Sequence, residues 1–134
     1  MKKILIIDDD RGVRQYLLHA LNKKYVAIES SGEGDLLKLI IEENPNLILL
    51  DLNMPNIDGR DLCQTLKTMG LTKEIPIAII SGMPEDYNRE VCFELGAVSY
   101  VPKPILVSHL YKIIDSIIGD RNVKNYRQRK TIFI

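Results

Sequence analysis

The sequence predicts an α/β fold, a doubly wound parallel sheet of five strands with five helices. Three observations carry this prediction. Short apolar runs alternate with amphipathic stretches along the 134 residues. Three of these runs are apolar at nearly every position, as strands buried on both faces are. The connections are short, which implies right-handed crossovers between consecutive strands.

The first strand covers 3–7 and leads into a helix over 11–23 with Val13, Leu17, Leu18 and Leu21 on one face. A second strand, 25–29, sets Val26 and Ile28 among polar residues and suits a sheet edge. A helix near 33–43 presents Leu36, Leu37, Ile40 and Ile41 and is stopped by Asn44-Pro45. The third strand is 47–51, and the third helix runs over 59–69. Ile77-Ala78-Ile79-Ile80 forms the fourth strand after Pro76. The helix near 85–95 should end in a left-handed cap at Gly96. A fifth strand at 98–102 and a helix over 106–118, closed by Gly119, complete the pattern. Residues 1–119 therefore read as one domain, and 120–134 as a basic tail that extends the last helix or acts as a linker.

Composition narrows the function classes. A chain of this length builds a core without disulfide or metal staples. No apolar stretch approaches the roughly 20 residues of a membrane span, and Met1-Lys2-Lys3 runs directly into a strand. A cytoplasmic protein is expected. Cys63 and Cys92 fall in different helices and should be reduced and half-buried, while His19 and His109 are isolated on helical segments. Of 18 basic and 18 acidic residues, five basic and one acidic lie in 120–134. Residues 1–119 keep 13 and 17, a charge of −4. That asymmetry can steer a partner, but direct nucleic-acid binding is not expected from it.

The chemistry gathers at the strand ends. Asp8, Asp9 and Asp10 follow the first strand, Asp51 ends the third, Ser81 follows the fourth and Lys103 follows the fifth. In an open parallel sheet these positions share the carboxyl edge, where ligands bind. Two carboxylates about 4 Å apart repel by about 4 kcal/mol at an effective dielectric of about 20, so the cluster calls for a cation. Oxygen ligands without neighbouring histidine or thiolate favour Mg²⁺, with Mn²⁺ as a substitute. Mg²⁺ commonly takes one or two carboxylates and a phosphate oxygen. Lys103 and Ser81 could cradle a phosphoryl group, and Asp51 is the natural nucleophile, since a carboxylate forms an acyl phosphate. Taken singly, each residue has a plainer role as a cap or turn former. Asp10 fits that role, as the start of the first helix. No glycine-rich loop ending in Lys-Ser or Lys-Thr is present.

The motifs Ile-Leu-Ile-Ile-Asp-Asp-Asp at 4–10, Leu-Leu-Asp-Leu-Asn-Met-Pro-Asn-Ile-Asp-Gly at 49–59, Ile-Ile-Ser-Gly at 79–82 and Gly-Ala-Val-Ser-Tyr-Val-Pro-Lys-Pro at 96–104 occur in this order. Over about residues 2–119 the chain resembles a receiver domain of the two-component response regulators, in particular the single-domain receivers of chemotaxis and sporulation relays. The resemblance implies a flavodoxin-like sheet of order 2-1-3-4-5. It also implies that Asp51 is the phosphoacceptor, and that Asp8, Asp9, Asp51 and the backbone carbonyl of Asn53 hold Mg²⁺. Lys103 would pair with the phosphoryl oxygens, and Pro104 would follow a cis peptide bond. Ser81 resembles the switch hydroxyl, and Tyr100 the aromatic that turns inward as Ser81 moves. Met83 and Gly82 would tune the phosphorylated lifetime. Met83 cannot orient an attacking water, so hydrolysis of the phosphorylated form is not expected to be fast.

The expected function is that of a signalling switch rather than an enzyme. A histidine kinase or histidine phosphotransfer protein would supply the phosphoryl group. The face formed by the fourth helix, fifth strand and fifth helix would then engage a downstream partner or a second copy. Candidates on that face are Asp86, Arg89, Glu90, Lys112 and Asp115. The alternative is a Mg²⁺-dependent aspartyl-phosphate phosphohydrolase. It lacks support at Asn53, where such enzymes carry a second carboxylate. Thr131-Ile132-Phe133-Ile134 has strand character and could dock on the body, pair with another copy or begin a further domain.

Overall fold

A computed structural model describes residues 1–55, 57–82, 85–119 and 132–133; at 85–89 and 132–133 the description is of the backbone. Strands β1 (Lys3–Ile7), β2 (Val26–Ser30), β3 (Leu47–Asp51), β6 (Ile77–Ser81) and β7 (Ser99–Pro102) form a parallel sheet in the order β2-β1-β3-β6-β7. These are the five predicted strands in the predicted order. Two further strands, β4 (Asn53–Met54) and β5 (Ile57–Asp58), make a small antiparallel ladder after β3. A last strand, β8 (Ile132–Phe133), lies parallel to β7 at the sheet edge.

The strands separate two cores because their side chains alternate between faces. Leu5, Ile7, Ile48, Leu50, Ile77, Ile79 and Tyr100 point to one side, against α2 (Leu36–Glu43), α3 (Gly59–Thr68) and α4 (Glu85–Leu95). Ile4, Ile6, Leu47, Leu49, Ala78, Ile80 and Val101 point to the other, against α1 (Arg11–Leu21) and α5 (Val107–Ile118). Each fully buried Leu or Ile contributes about 1.5–3 kcal/mol relative to an exposed one, so this double layer fixes the register of the central strands.

Helix starts follow local chemistry. Asp10, Asp35 and Asp58 cap α1, α2 and α3 by accepting backbone N–H bonds from Val13, Lys38, and Arg60 with Asp61. Helix α2 begins three residues later than the periodicity predicts. Gly32 and Gly34 both take positive φ, 92° and 79°, and hold the preceding turn out of helical conformation. Asn44 ends α2 in the left-handed region, and Gly96 does the same after α4. Helix α1 stops at Leu21, two residues early, because Asn22 caps it and Tyr25 turns back to bond Leu21.

Two packing expectations are corrected. Cys63 and Cys92 are fully buried, not half-buried, because both face the layer between the sheet and helices α3 and α4. Both are free thiols. Ile41 is exposed, and Leu39 packs against the core in its place.

Candidate phosphoacceptor site

The carboxyl ends of β1, β3, β6 and β7 bring the sequence-predicted groups Asp8, Asp51, Ser81 and Lys103 together at one edge of the sheet. Asp8 follows β1 with no exposed surface, and Asp51 ends β3 at 4% exposure. Asp9 is exposed at the rim. One carboxylate oxygen from each of Asp8, Asp9 and Asp51 lies within 4.8 Å of the others. The Lys103 Nζ sits 3.1 Å from Asp8 Oδ2 and 3.4 Å from Asp51 Oδ2. The Lys103 ammonium thus bridges two of the three carboxylates.

Backbone geometry sets the remaining oxygens. Asp8 Oδ1 accepts from the Asp10 N–H at 2.9 Å, and Asp51 Oδ1 accepts from the Asn53 N–H at 3.0 Å. Asp10 therefore supports the site from behind while capping α1. Ser81, fully buried at the end of β6, receives a hydrogen bond from the Asn53 side-chain amide at 3.1 Å. Its carbonyl accepts from the Lys103 N–H at 2.8 Å, which ties β6 to the lysine loop. The Lys103–Pro104 peptide is cis. Tyr100 is fully buried in the core on the α4 side of the sheet. Gly82 is exposed, and a Cβ there would lie 3.9 Å from the Lys103 Cβ, leaving the approach open. Met83 lies outside the described residues.

Electrostatics follow from burial and neighbours. Burial raises the Asp8 carboxyl above its ordinary value; the Asp10 hydrogen bond opposes this, the Asp51 charge adds to it and Lys103 opposes it. Burial alone would lower Lys103, but the charges of Asp51 and Asp8 outweigh it and raise its pKa. Asp8 Oδ2 is buried and, beyond the Lys103 ammonium at 3.1 Å, has no hydrogen-bond partner among the described residues, so a cation could add to its contacts. The donor set is all oxygen and hard, and it fits Mg²⁺.

One contributor escaped sequence reasoning. Arg14 donates from Nη1 to the Asp8 carbonyl at 2.8 Å and from Nε to Glu29 at 2.9 Å, so it locks the β1 end to the edge strand β2. A basic residue in the first turn of an amphipathic helix gave no signal of that role. Of the surface candidates, Glu90 and Lys112 are exposed and Asp115 is partly buried. The side chains of Asp86 and Arg89 lie outside the described residues. Phe93 on α4, which the sequence did not single out, is 59% exposed.

The family model for the response regulator receiver domain matches residues 4–115. The chain belongs to that family. Receivers accept a phosphoryl group and act as signalling switches in two-component systems. The chain is 32% identical over 109 residues to the response regulator MprA of Mycolicibacterium vanbaalenii, covering 81% of this chain and 46% of that protein. It is 29% identical over 117 residues to MprA of Mycobacterium leprae, covering 87% and 50%. This receiver thus spans about half the length of the curated relatives it matches. Among solved structures, the receiver domain of a DNA-binding response regulator from Colwellia psychrerythraea superposes with a TM-score of 0.81 at 27% identity, covering 87% of this chain and 98% of that one. The Vibrio cholerae chemotaxis protein CheY4 shares the fold, with a TM-score of 0.81 at 22% identity and coverage of 88% and 99%. Among the described residues, no helix is long and apolar enough to cross a membrane.

Proposed function

We propose that Asp51 accepts a phosphoryl group from a phosphohistidine on a kinase or phosphotransfer partner, and that residues 1–119 act as the switch unit. The observation that carries this reading is the convergence of Asp8, Asp9, Asp51 and the Lys103 ammonium on one pocket. A carboxylate oxygen of Asp51 attacks phosphorus in line as the nitrogen–phosphorus bond breaks. The donor imidazole keeps the bond electrons and takes a proton. Phosphoryl transfer asks the protein mainly for positioning and charge neutralisation. Lys103 is placed to pair with an incoming phosphoryl oxygen. Asp8, Asp9, Asp51 and the Asn53 carbonyl would hold Mg²⁺, whose charge offsets that of the phosphoryl oxygens. Exposed Tyr16 and Pro104 line a groove together with Lys103 and offer a donor a surface to approach.

Phosphorylation then draws the Ser81 hydroxyl toward the new oxygens, away from the Asn53 amide. The inward Tyr100 state gains population, and the α4–β7–α5 face changes its affinity for a partner or a second copy. With Met83 two residues past the switch serine, the acyl phosphate should be long-lived enough to signal. Acetyl phosphate with Mg²⁺, read by intact mass, should add one phosphoryl group to the parent and none to Asp51→Asn. Equal labelling of both would remove Asp51 from its role.

A further inference from the structure

The two outer strands of the five-strand sheet differ. β2 is partly exposed along its length, with Val26 at 38%, whereas Ser99, Tyr100 and Val101 of β7 are buried. The β7 edge is taken by β8, with Ser99 opposite Ile132 and Tyr100 opposite Phe133. An edge strand offers unpaired N–H and C=O groups to any extended segment, and adding a strand there is a recurrent recognition mode. Among the described residues this ladder is two residues long, and Pro102, at the end of β7, has no N–H with which to extend it. Attachment through so few bonds is exchangeable. Charge favours docking within the chain: residues 120–134 carry five basic residues against one acidic, and residues 1–119 carry a charge of −4.

β7 also reaches the acceptor pocket. Its Pro102 pairs with Ser81, and the next residue, Lys103, bonds the Ser81 carbonyl and faces Asp8 and Asp51. The β8 ladder, at Ser99 and Tyr100, and the lysine loop therefore sit at the two ends of a single four-residue strand.

We infer that the β7 edge is a strand-binding site whose resident ligand is this chain's own C-terminal segment, and that docking of this segment is positively coupled to phosphorylation of Asp51. The coupling rests on the acceptor reading above; the docking does not. A docked β8 holds β7 where Tyr100 is inward and Lys103 faces the carboxylates, the arrangement that phosphorylation also favours. By linkage, phosphorylation then tightens docking by the factor by which docking favours phosphorylation.

Backbone hydrogen exchange on the full chain tests both parts, using the parent, Ile132→Pro, Phe133→Pro and Asp51→Asn. In a parallel pair neighbouring residues turn their N–H groups to opposite sides, so the two proline variants between them remove the donor facing β7. At least one should speed exchange in residues 99–101 about tenfold, the loss expected from one or two net hydrogen bonds. Unchanged exchange in both variants would overturn the docking. Acetyl phosphate with Mg²⁺ should slow exchange there in the parent and leave Asp51→Asn unaffected. A parent that intact mass shows to be labelled, yet whose exchange is unchanged, defeats the coupling alone. A parent that takes no label defeats the acceptor reading and leaves the docking result standing. Protection that rises with protein concentration, in step with dimer formation, would put a second copy's strand on the edge and overturn docking within one chain.

Discussion

Asp8 concentrates the conflict between stability and chemistry. Its carboxylate has no exposed surface, its pKa is raised by burial, and Lys103 at 3.1 Å is shared with Asp51. Asp8→Asn keeps an oxygen for the Asp10 N–H and removes one charge from the cluster. In metal-free buffer it should raise the free energy of urea unfolding by about 1 kcal/mol, and it should abolish most of the stabilisation that added Mg²⁺ gives the parent. A variant less stable than the parent without metal would contradict the repulsion argument. The carboxylates and Lys103 were legible in the sequence because each abuts an apolar strand. Arg14 was not, since its partners, the Asp8 carbonyl and Glu29, meet it only after β1 and β2 pair. Ser81 was placed correctly at its strand end, but its bond from Asn53 depends on a turn geometry that the sequence does not show. On the proposed mechanism that bond must break for switching. Its strength therefore enters directly into the ratio of resting to switched molecules.

At the level of elements, long periodic segments were readable and very short ones were not. The strand at 47–51 and the helix at 85–95 were located to the residue. β4 and β5 have two residues each, too few for any periodicity, and arise because the chain doubles back between Asp51 and α3. Gly59 makes that return feasible. A Cβ there would lie 2.8 Å from the Leu52 Cα and 3.2 Å from the Asp51 carbonyl oxygen, both rigid backbone atoms. Gly59→Ala should therefore cost about 1–3 kcal/mol in urea unfolding and slow acetyl phosphate labelling, because relief requires moving the acceptor strand or α3. Wild-type stability together with wild-type labelling would show that the contact relaxes harmlessly. The expected third helix ended one residue early, at Thr68, and the tail's strand character resolved into an edge ladder for Ile132–Phe133.

For the whole molecule, stability depends on keeping both layers of the sheet dry. Burial pushes the Cys63 thiol up to about 11 and the Cys92 thiol up to about 12. The fold thus favours the neutral thiols. This contribution is complete below the ordinary thiol value and is lost as pH rises through the folded values. Burial lowers Lys67, which acts in the opposite sense, so the useful comparison is between parent and Cys92→Ala. From about pH 8 to about pH 10.5 the parent should lose about 1–2 kcal/mol more unfolding free energy than the variant. Parallel pH profiles would mean that the thiols ionise without opening the core. The construction of the pocket has a further consequence. Asp8, Asp51, Ser81 and Lys103 come from four strands whose neighbours are paired across long stretches of chain. Closing such loops is the slow part of forming a parallel sheet, and on the proposed mechanism an acceptor assembled from all four exists only once they are closed. A nascent or damaged copy with one strand out of place would present no reactive carboxylate. Competence to carry a signal then doubles as proof of complete folding, with no separate checkpoint required.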